Sequence, residues 1–271
     1  MRDFRASAVQ MKSGRDRAAN LELVDALVRR AAGDGSSLIV LPELFSWRGP
    51  QDQELENSEP IPGPSYDTVA ALALELGVFI VAGSLLERGK DSDTRCFNTC
   101  VFFGPGGEEL ARYRKIHLFD VDLPGEVTVR ESLTRQAGAE VICVATELAT
   151  VGLSICYDLR FPELYRRLAG SGAEVLVVPS AFTKPTGEAH WETLVRARAI
   201  ENQAWVVAAN QYGASTQQFA DYGHSMIVDP WGRVLREAND EEAVLSAELS
   251  GELLDSVRRE LPCAQHRVFQ S

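Results

Sequence analysis

The sequence predicts an α/β protein made of large mixed sheets with helices on the outside. Three observations lead to that class. Apolar runs of strand length alternate with amphipathic helical stretches along the whole chain, tight turns convert some of these steps into hairpins, and no low-complexity tract, repeat or shift in composition interrupts them. The 271 residues are therefore read as one domain spanning 1–271.

Phe4 to Met11 reads as a first strand. The helix from Asp16 to Ala32 follows, with Ala18, Leu21, Val24, Leu27, Val28 and Ala31 at helical spacing, and then a short buried strand from Ser37 to Leu41. Residues 44–64 form a polar loop with four prolines, and Ser65 occupies the expected N-cap position of a helix through Leu76. Strands over 78–86 and 96–103 come next, the second turning at Gly104-Pro105-Gly106-Gly107 into another from Glu109 to about Ile116. After an irregular stretch over 117–138, strands are predicted near 140–148 and 150–155, a helix over 162–170, a strand over 174–178, a helix from His190 to Asn202 and a buried strand over 205–209. A hairpin around Asp229-Pro230-Trp231-Gly232 and a helix near 251–260 complete the pattern.

With 27 Lys and Arg against 39 Asp and Glu, the formal charge is −12. Binding to nucleic acid or anionic membrane rests on clustered basic residues, so neither is expected as a partner. No apolar run approaches the ~20 residues needed to cross a bilayer. Five cysteines cannot all pair within one chain, and the first residues lack the apolar core of a secretory signal. A reducing, cytoplasmic setting is expected, in which a cysteine is a packing residue or a nucleophile.

In such sheets, functional groups collect where strands end. Three ends carry chemistry here: Glu43 in Leu41-Pro42-Glu43, Lys115 in Tyr113-Arg114-Lys115, and Cys156 in Ser154-Ile155-Cys156-Tyr157-Asp158. Singly, each is ordinary. Together they supply a nucleophile, a base and a cation. A thiol needs a base, a carboxylate in a poorly hydrated pocket can have its pKa raised enough to serve, and an ammonium can stabilise the oxyanion formed by attack. The dipole of the helix beginning near Pro162 is expected to favour a thiolate at Cys156.

These blocks resemble those of the nitrilase superfamily of carbon–nitrogen hydrolases. The resemblance extends to Cys96-Phe97-Asn98-Thr99, Ala189-His190-Trp191-Glu192, the run Arg196 to Glu201, and Gly223 to Gly232. It implies a four-layer αββα sandwich, commonly paired as a homodimer. It also implies Glu43 as general base, Lys115 as stabiliser of the tetrahedral intermediate, Cys156 as nucleophile, and Glu131 as a second glutamate that holds the lysine. The backbone N–H of Tyr157 would join Lys115 around the oxyanion. The implied reaction splits amide hydrolysis into thioester formation, with release of ammonia, and thioester hydrolysis, without metal or organic cofactor.

The segment Pro179 to Trp191 and Tyr222-Gly223-His224-Ser225-Met226 look most like the deaminated-glutathione amidase branch of that family, with the ω-amidase branch second. Both imply a small amide substrate bearing an α-keto acid. The tail Leu261-Pro262-Cys263-Ala264 departs from the usual pattern. An acidic substrate needs local cationic or donor groups, and Arg160, Thr183, Lys184 and His190 are the candidates.

The same residues admit other readings. Carbamoyl compounds and nitriles are alternative substrates within the superfamily. A catalytically silent binding subunit is the non-enzyme alternative. His117 could pair with Cys156 as in thiol proteases. Cys96 and Cys100 lack a second pair for zinc and are expected in the core, as are Cys143 and Cys263. Gly104 to Gly107 reads as a turn rather than a phosphate loop, and Gly223-His224-Ser225 lacks a nucleophile-elbow pattern.

Overall fold

The computed structural model describes residues 1–90, 94–214 and 220–269. Its first half runs β1 (Phe4–Gln10), α1 (Arg17–Gly33), β2 (Leu38–Val40), α2 (Pro64–Leu76), β3 (Phe79–Glu87), β4 (Cys96–Phe103) and β5 (Glu109–Arg114). β1, β2 and β3 are parallel, and β4 and β5 continue the sheet antiparallel. The stretch predicted to be irregular contains a hairpin apart from both main sheets, β6 (Asp120–Leu123) with β7 (Val127–Arg130), and a short β8 (Arg135–Gln136) that joins β4.

The second half begins with β9 (Cys143–Ala145), β10 (Thr150–Leu153), α3 (Pro162–Gly170), β11 (Val175–Val177), α4 (Lys184–Asn202) and β12 (Trp205–Ala208). A small pair, β13 (Tyr212–Ala214) and β14 (Ala220–Tyr222), precedes the hairpin strands β15 (Met226–Val228) and β16 (Val234–Glu237). These give a second sheet in the order β16-β15-β12-β11-β10-β9. The chain then returns: β17 (Ala243–Leu249) pairs antiparallel with all of β1, before α5 (Gly251–Glu260). That return pairs strands nearly the whole chain apart, so local pattern could not announce it.

Alternation along the strands explains the layers. Leu38 and Val40 join Val151, Val175 and Val207 in the core between the sheets, whereas Ile39 points the other way and packs with Val24, Val28 and Leu72 of α1 and α2. On the far side, Leu164 and Leu168 of α3 and Trp191 and Val195 of α4 cover the second sheet. The order helix, sheet, sheet, helix is the αββα sandwich. Among the described residues, no helix is long and apolar enough to cross a membrane.

Two helix starts differ from expectation. Gly63, not Ser65, caps α2, because Pro64 fits the first helical turn; the buried Ser65 hydroxyl instead donates to Glu59. α4 starts at Lys184 rather than His190. Lys184-Pro185-Thr186-Gly187 has loop composition, but Pro185 lies in the first turn, and Gly187 is demanded by packing, since a Cβ there would lie 2.4 Å from the Tyr222 side chain.

Candidate active site

Glu43 leaves β2 through a crossing that only glycine permits. β3 bulges between Ala82 and Leu85, and a Cβ on Gly83 would lie 1.8 Å from the Leu41 carbonyl oxygen. The neighbouring Ser84 hydroxyl accepts from the Leu44 N–H at 2.9 Å and steadies Leu44 in the left-handed region, with φ 55°. The Glu43 side chain is buried. Its Oε1 accepts from Lys115 Nζ at 2.9 Å and Asn98 Nδ2 at 2.7 Å, and its Oε2 from the Ala181 N–H at 2.8 Å. The Cys156 thiol shares the cavity wall with this carboxylate and is close enough for each to shift the other's ionisation.

Lys115 follows β5, its N–H anchored to the Asn98 carbonyl at 2.9 Å. Its ammonium bridges Glu43 and Glu131, the latter at 3.0 and 3.2 Å. Glu131 is held in turn by the Phe119 N–H at 2.9 Å and by Arg135, which makes a two-pronged contact with Glu54 at 2.9 and 2.5 Å. Glu54 and Arg135 carried no signal in the sequence beyond the spacing of Arg135 four residues after Glu131.

Cys156 follows β10 and itself adopts φ 46°, at the head of a short 3₁₀ turn over Cys156–Arg160. Asp158 fixes this turn against the Lys115 side of the site. Its carboxylate accepts from the Ile155 N–H at 2.8 Å and the Tyr113 hydroxyl at 2.6 Å, and lies 2.7 Å from His117 Nδ1. His117 is thus committed to Asp158 and stacks on Phe161 at 3.7 Å, which removes the Cys156–His117 reading. Cys100 sits in the core between the sheets, and burial pushes the Cys96 thiol up to about 12, but Cys143 is only half-buried and Cys263, beyond the last helix, is exposed rather than packed in the core.

The electrostatics correct two expectations. Burial alone would raise the Glu43 carboxyl, but Lys115 and Arg135 outweigh it and hold it well below the usual carboxylate range. Burial, reinforced by the Glu43 carboxylate, pushes the Cys156 thiol well above its usual value against the pull of Lys115. The resting pair is therefore carboxylate and thiol, and the dipole of α3 does not leave a resting thiolate. Burial disfavours the Lys115 ammonium, yet Glu131 and Glu43 together keep it protonated far above its usual range. Three carboxylates (Glu43, Glu54, Glu131) face two cations (Lys115, Arg135). A proton moving from Cys156 to Glu43 leaves that sum unchanged, whereas losing it to solvent would add a second excess negative charge.

Glu43, Lys115, Glu131, Cys156 and Tyr157 all line one cavity of about 820 Å³. Of the residues expected to bind substrate, Arg160 and Thr183 line it too, the Arg160 guanidinium lying over the Phe182 ring at 5.1 Å. Lys184 and His190 do not reach it. Lys184 points to Glu188 and Asp240 at 3.9 and 3.8 Å, because the earlier start of α4 turns it outward, and His190 sits beside Arg160, 3.3 Å from its Nη1. The sequence reading missed Arg15, Arg48 and Thr186 on the cavity wall. Arg48 is buried against Asp221, a partner 173 positions away.

Two face-to-face sheets that deliver a glutamate, a lysine and a cysteine to one cavity define a carbon–nitrogen hydrolase. The profile of the carbon-nitrogen hydrolase family matches residues 5–259, and the chain belongs to that family. It is 40% identical over 271 residues, 99% of this chain and 100% of the other, to a deaminated glutathione amidase from Synechocystis sp. (strain PCC 6803 / GT-S). It is 39% identical over 267 residues, 98% of this chain and 95% of the other, to an omega-amidase from Danio rerio. The crystal structure of the C. elegans NitFhit protein superposes with a TM-score of 0.93 at 36% identity, covering 99% of this chain and 66% of that longer one.

Proposed function

We propose that the protein is a cysteine-dependent amidase, acting as one domain over residues 1–271, that hydrolyses a small carboxylate-bearing amide through a thioester. The observation that carries this reading is the convergence of a buried Glu43 carboxylate, the Lys115 ammonium bonded to it at 2.9 Å, and the Cys156 thiol on the wall of one cavity. Glu43 takes the thiol proton as Sγ attacks the amide carbonyl. Lys115 and the Tyr157 N–H stabilise the oxyanion. Glu43 then returns the proton to the leaving nitrogen as the carbon–nitrogen bond breaks. Water, deprotonated by Glu43, attacks the thioester, releasing the acid and restoring the thiol. Glu131 keeps Lys115 in place and takes no proton.

The proposed substrate class follows from the wall of the cavity and from the relatives. Arg160 is held over aromatic rings with no carboxylate of its own among the ion pairs of the described residues, a suitable anchor for an acidic substrate. An amide of the deaminated-glutathione type is the first choice, an ω-amide such as α-ketoglutaramate the second; the first releases an amine and the second ammonia. Arg160→Ala is expected to raise KM for such substrates by roughly 10–100-fold, consistent with about 1.5–3 kcal/mol for a charged hydrogen bond, with a smaller change in kcat. Equal kcat/KM for acidic and uncharged amides in the wild type would remove the anchor role.

The proposed setting is a reducing cytoplasm, which suits five free cysteines. The proposed assembly is a homodimer, for which half-exposed Ile200 and Trp231 offer apolar contact. The deciding experiment mixes the protein with keto-acid amides, carbamoyl compounds and nitriles, following product release and intact mass. A thioester adduct should form, and Cys156→Ala should abolish both adduct and turnover. Unchanged turnover in that variant would overturn the mechanism, and no adduct or product across the panel would favour a silent binding subunit.

A further inference from the structure

We infer that Gln211 is a positioning residue for the general base, a role that rests on the proposed part of Glu43 in catalysis. Gln211 follows β12 in the second sheet and is fully buried. Every hydrogen-bonding position of its amide except one acceptor lone pair is used. Oε1 accepts from the Ser13 N–H at 2.9 Å, while Nε2 donates to Ser13 Oγ at 2.8 Å and to the Glu43 carbonyl at 2.9 Å. Ser13 Oγ in turn donates to the Phe45 carbonyl at 2.9 Å.

The two carbonyls so engaged flank Leu44, the residue held in the left-handed region. Ser84 of the first sheet grips the Leu44 N–H, and Gln211 with Ser13 grips the carbonyls on either side. A non-glycine residue in that region returns to ordinary backbone angles unless its surroundings over-determine it. Release of the Glu43 carbonyl would let the turn relax and carry the carboxylate away from the thiol. The preceding residue completes the arrangement. Asn210 Oδ1 accepts from the Phe182 N–H at 2.9 Å and its Nδ2 donates to the Gly223 carbonyl at 2.6 Å. This orders the segment whose Ala181 N–H reaches Glu43 Oε2 at 2.8 Å. Asn210 and Gln211 therefore fix the carboxylate end and the backbone end of the same glutamate from across the sandwich. A sheet-to-sheet cross-link alone would require only the bonds to Ser13; the direct bond to the Glu43 carbonyl gives the pair its catalytic consequence.

The test compares Gln211→Met, Ser13→Ala and Glu43→Gln with the wild type, using α-ketoglutaramate as substrate and iodoacetamide as a probe of Cys156. Gln211→Met keeps the side-chain volume and loses every bond. For folded protein, it is expected to lower kcat roughly 10–100-fold, the cost of a misplacement near 1 Å, with KM within twofold and Cys156 alkylation climbing with pH more than in the wild type. Ser13→Ala, which frees only the Phe45 carbonyl and one Gln211 donor, should lower kcat about threefold or more and serves if Gln211→Met does not fold. Wild-type kcat in either folded variant, with Glu43→Gln impaired, would overturn the positioning role. A loss that tracks only the folded fraction would overturn it equally. Full turnover in Glu43→Gln would instead overturn the reading of Glu43 as base.

Discussion

Glu43→Gln is expected to lower kcat by about 10²–10⁴-fold, the range general-base catalysis supplies, with little change in KM. The amide cannot take the thiol proton, and it also misfits its surroundings. Both carboxylate oxygens accept from N–H groups, Oε1 from Lys115 and Asn98 and Oε2 from Ala181, so the new NH₂ must face a donor in either orientation. The pH dependence should change in a defined direction. Because the Glu43 carboxylate raises the Cys156 thiol, its removal lets the thiol ionise at lower pH. Residual turnover and iodoacetamide alkylation should therefore climb with pH in the variant more than in the wild type, whose Glu43 stays ionised below the usual carboxylate range. Stability carries the same signature. A carboxyl whose folded pKa is depressed contributes stability above its unfolded pKa and loses it as pH falls through the folded value. Acid unfolding of Glu43→Gln should thus be less steep than that of the wild type. Identical pH–stability curves would remove the electrostatic account of this site.

Lys115→Met should impair both folding and chemistry. The substitution leaves Glu43, Glu54 and Glu131 with Arg135 as the cation of their buried network, and breaking a buried pair in this way costs about 3–5 kcal/mol. It also removes a charge aimed at the proposed oxyanion, worth about 10²–10³-fold in kcat by comparison with oxyanion-hole donors. The two effects separate in the double variant Lys115→Met/Glu131→Gln, which deletes one charge of each sign. Urea unfolding should show much of the stability restored, while product release stays low. A double variant with near wild-type kcat would show that Lys115 acts only as a structural counter-ion. Since the folded pKa of Lys115 is raised, its contribution is complete below the usual lysine value and disappears only at pH above the working range, so it should not create an alkaline limb near neutrality.

The elements that were legible in the sequence are those whose information is local. The unbroken apolar run Leu38 to Leu41 announced a short buried strand, and the three polar residues at strand ends pointed to one site because each is delivered by an apolar element. What could not be read depends on partners far away in the chain. Gly187 looks like a helix breaker until Tyr222 is seen against it, and Gly83 looks like a weakness in a strand until the Leu41 carbonyl is found where a Cβ would be. Arg48 and Arg135 resemble solvated loop residues, since their carboxylate partners Asp221 and Glu54 are 173 and 81 positions away. The raised carboxyl expected from poor hydration became a lowered one for the same reason, because burial arrives together with two cations that only the folded chain assembles.

The division of the site between the two sheets makes folding itself a safety device. Glu43 and Lys115 belong to the sheet formed early and late in the chain by β1 to β5 and β17, while Cys156, Ala181 and Gln211 belong to the other. In a nascent or partly opened molecule the cysteine has no carboxylate beside it and no cation before it, and it is an ordinary thiol among five. Docking of the sheets buries the thiol, holds its proton and supplies the one group positioned to remove it. The protein thereby acquires its proposed nucleophile and the restraint on it in the same event, and a condition that parts the sheets disarms the site as it opens the core between them.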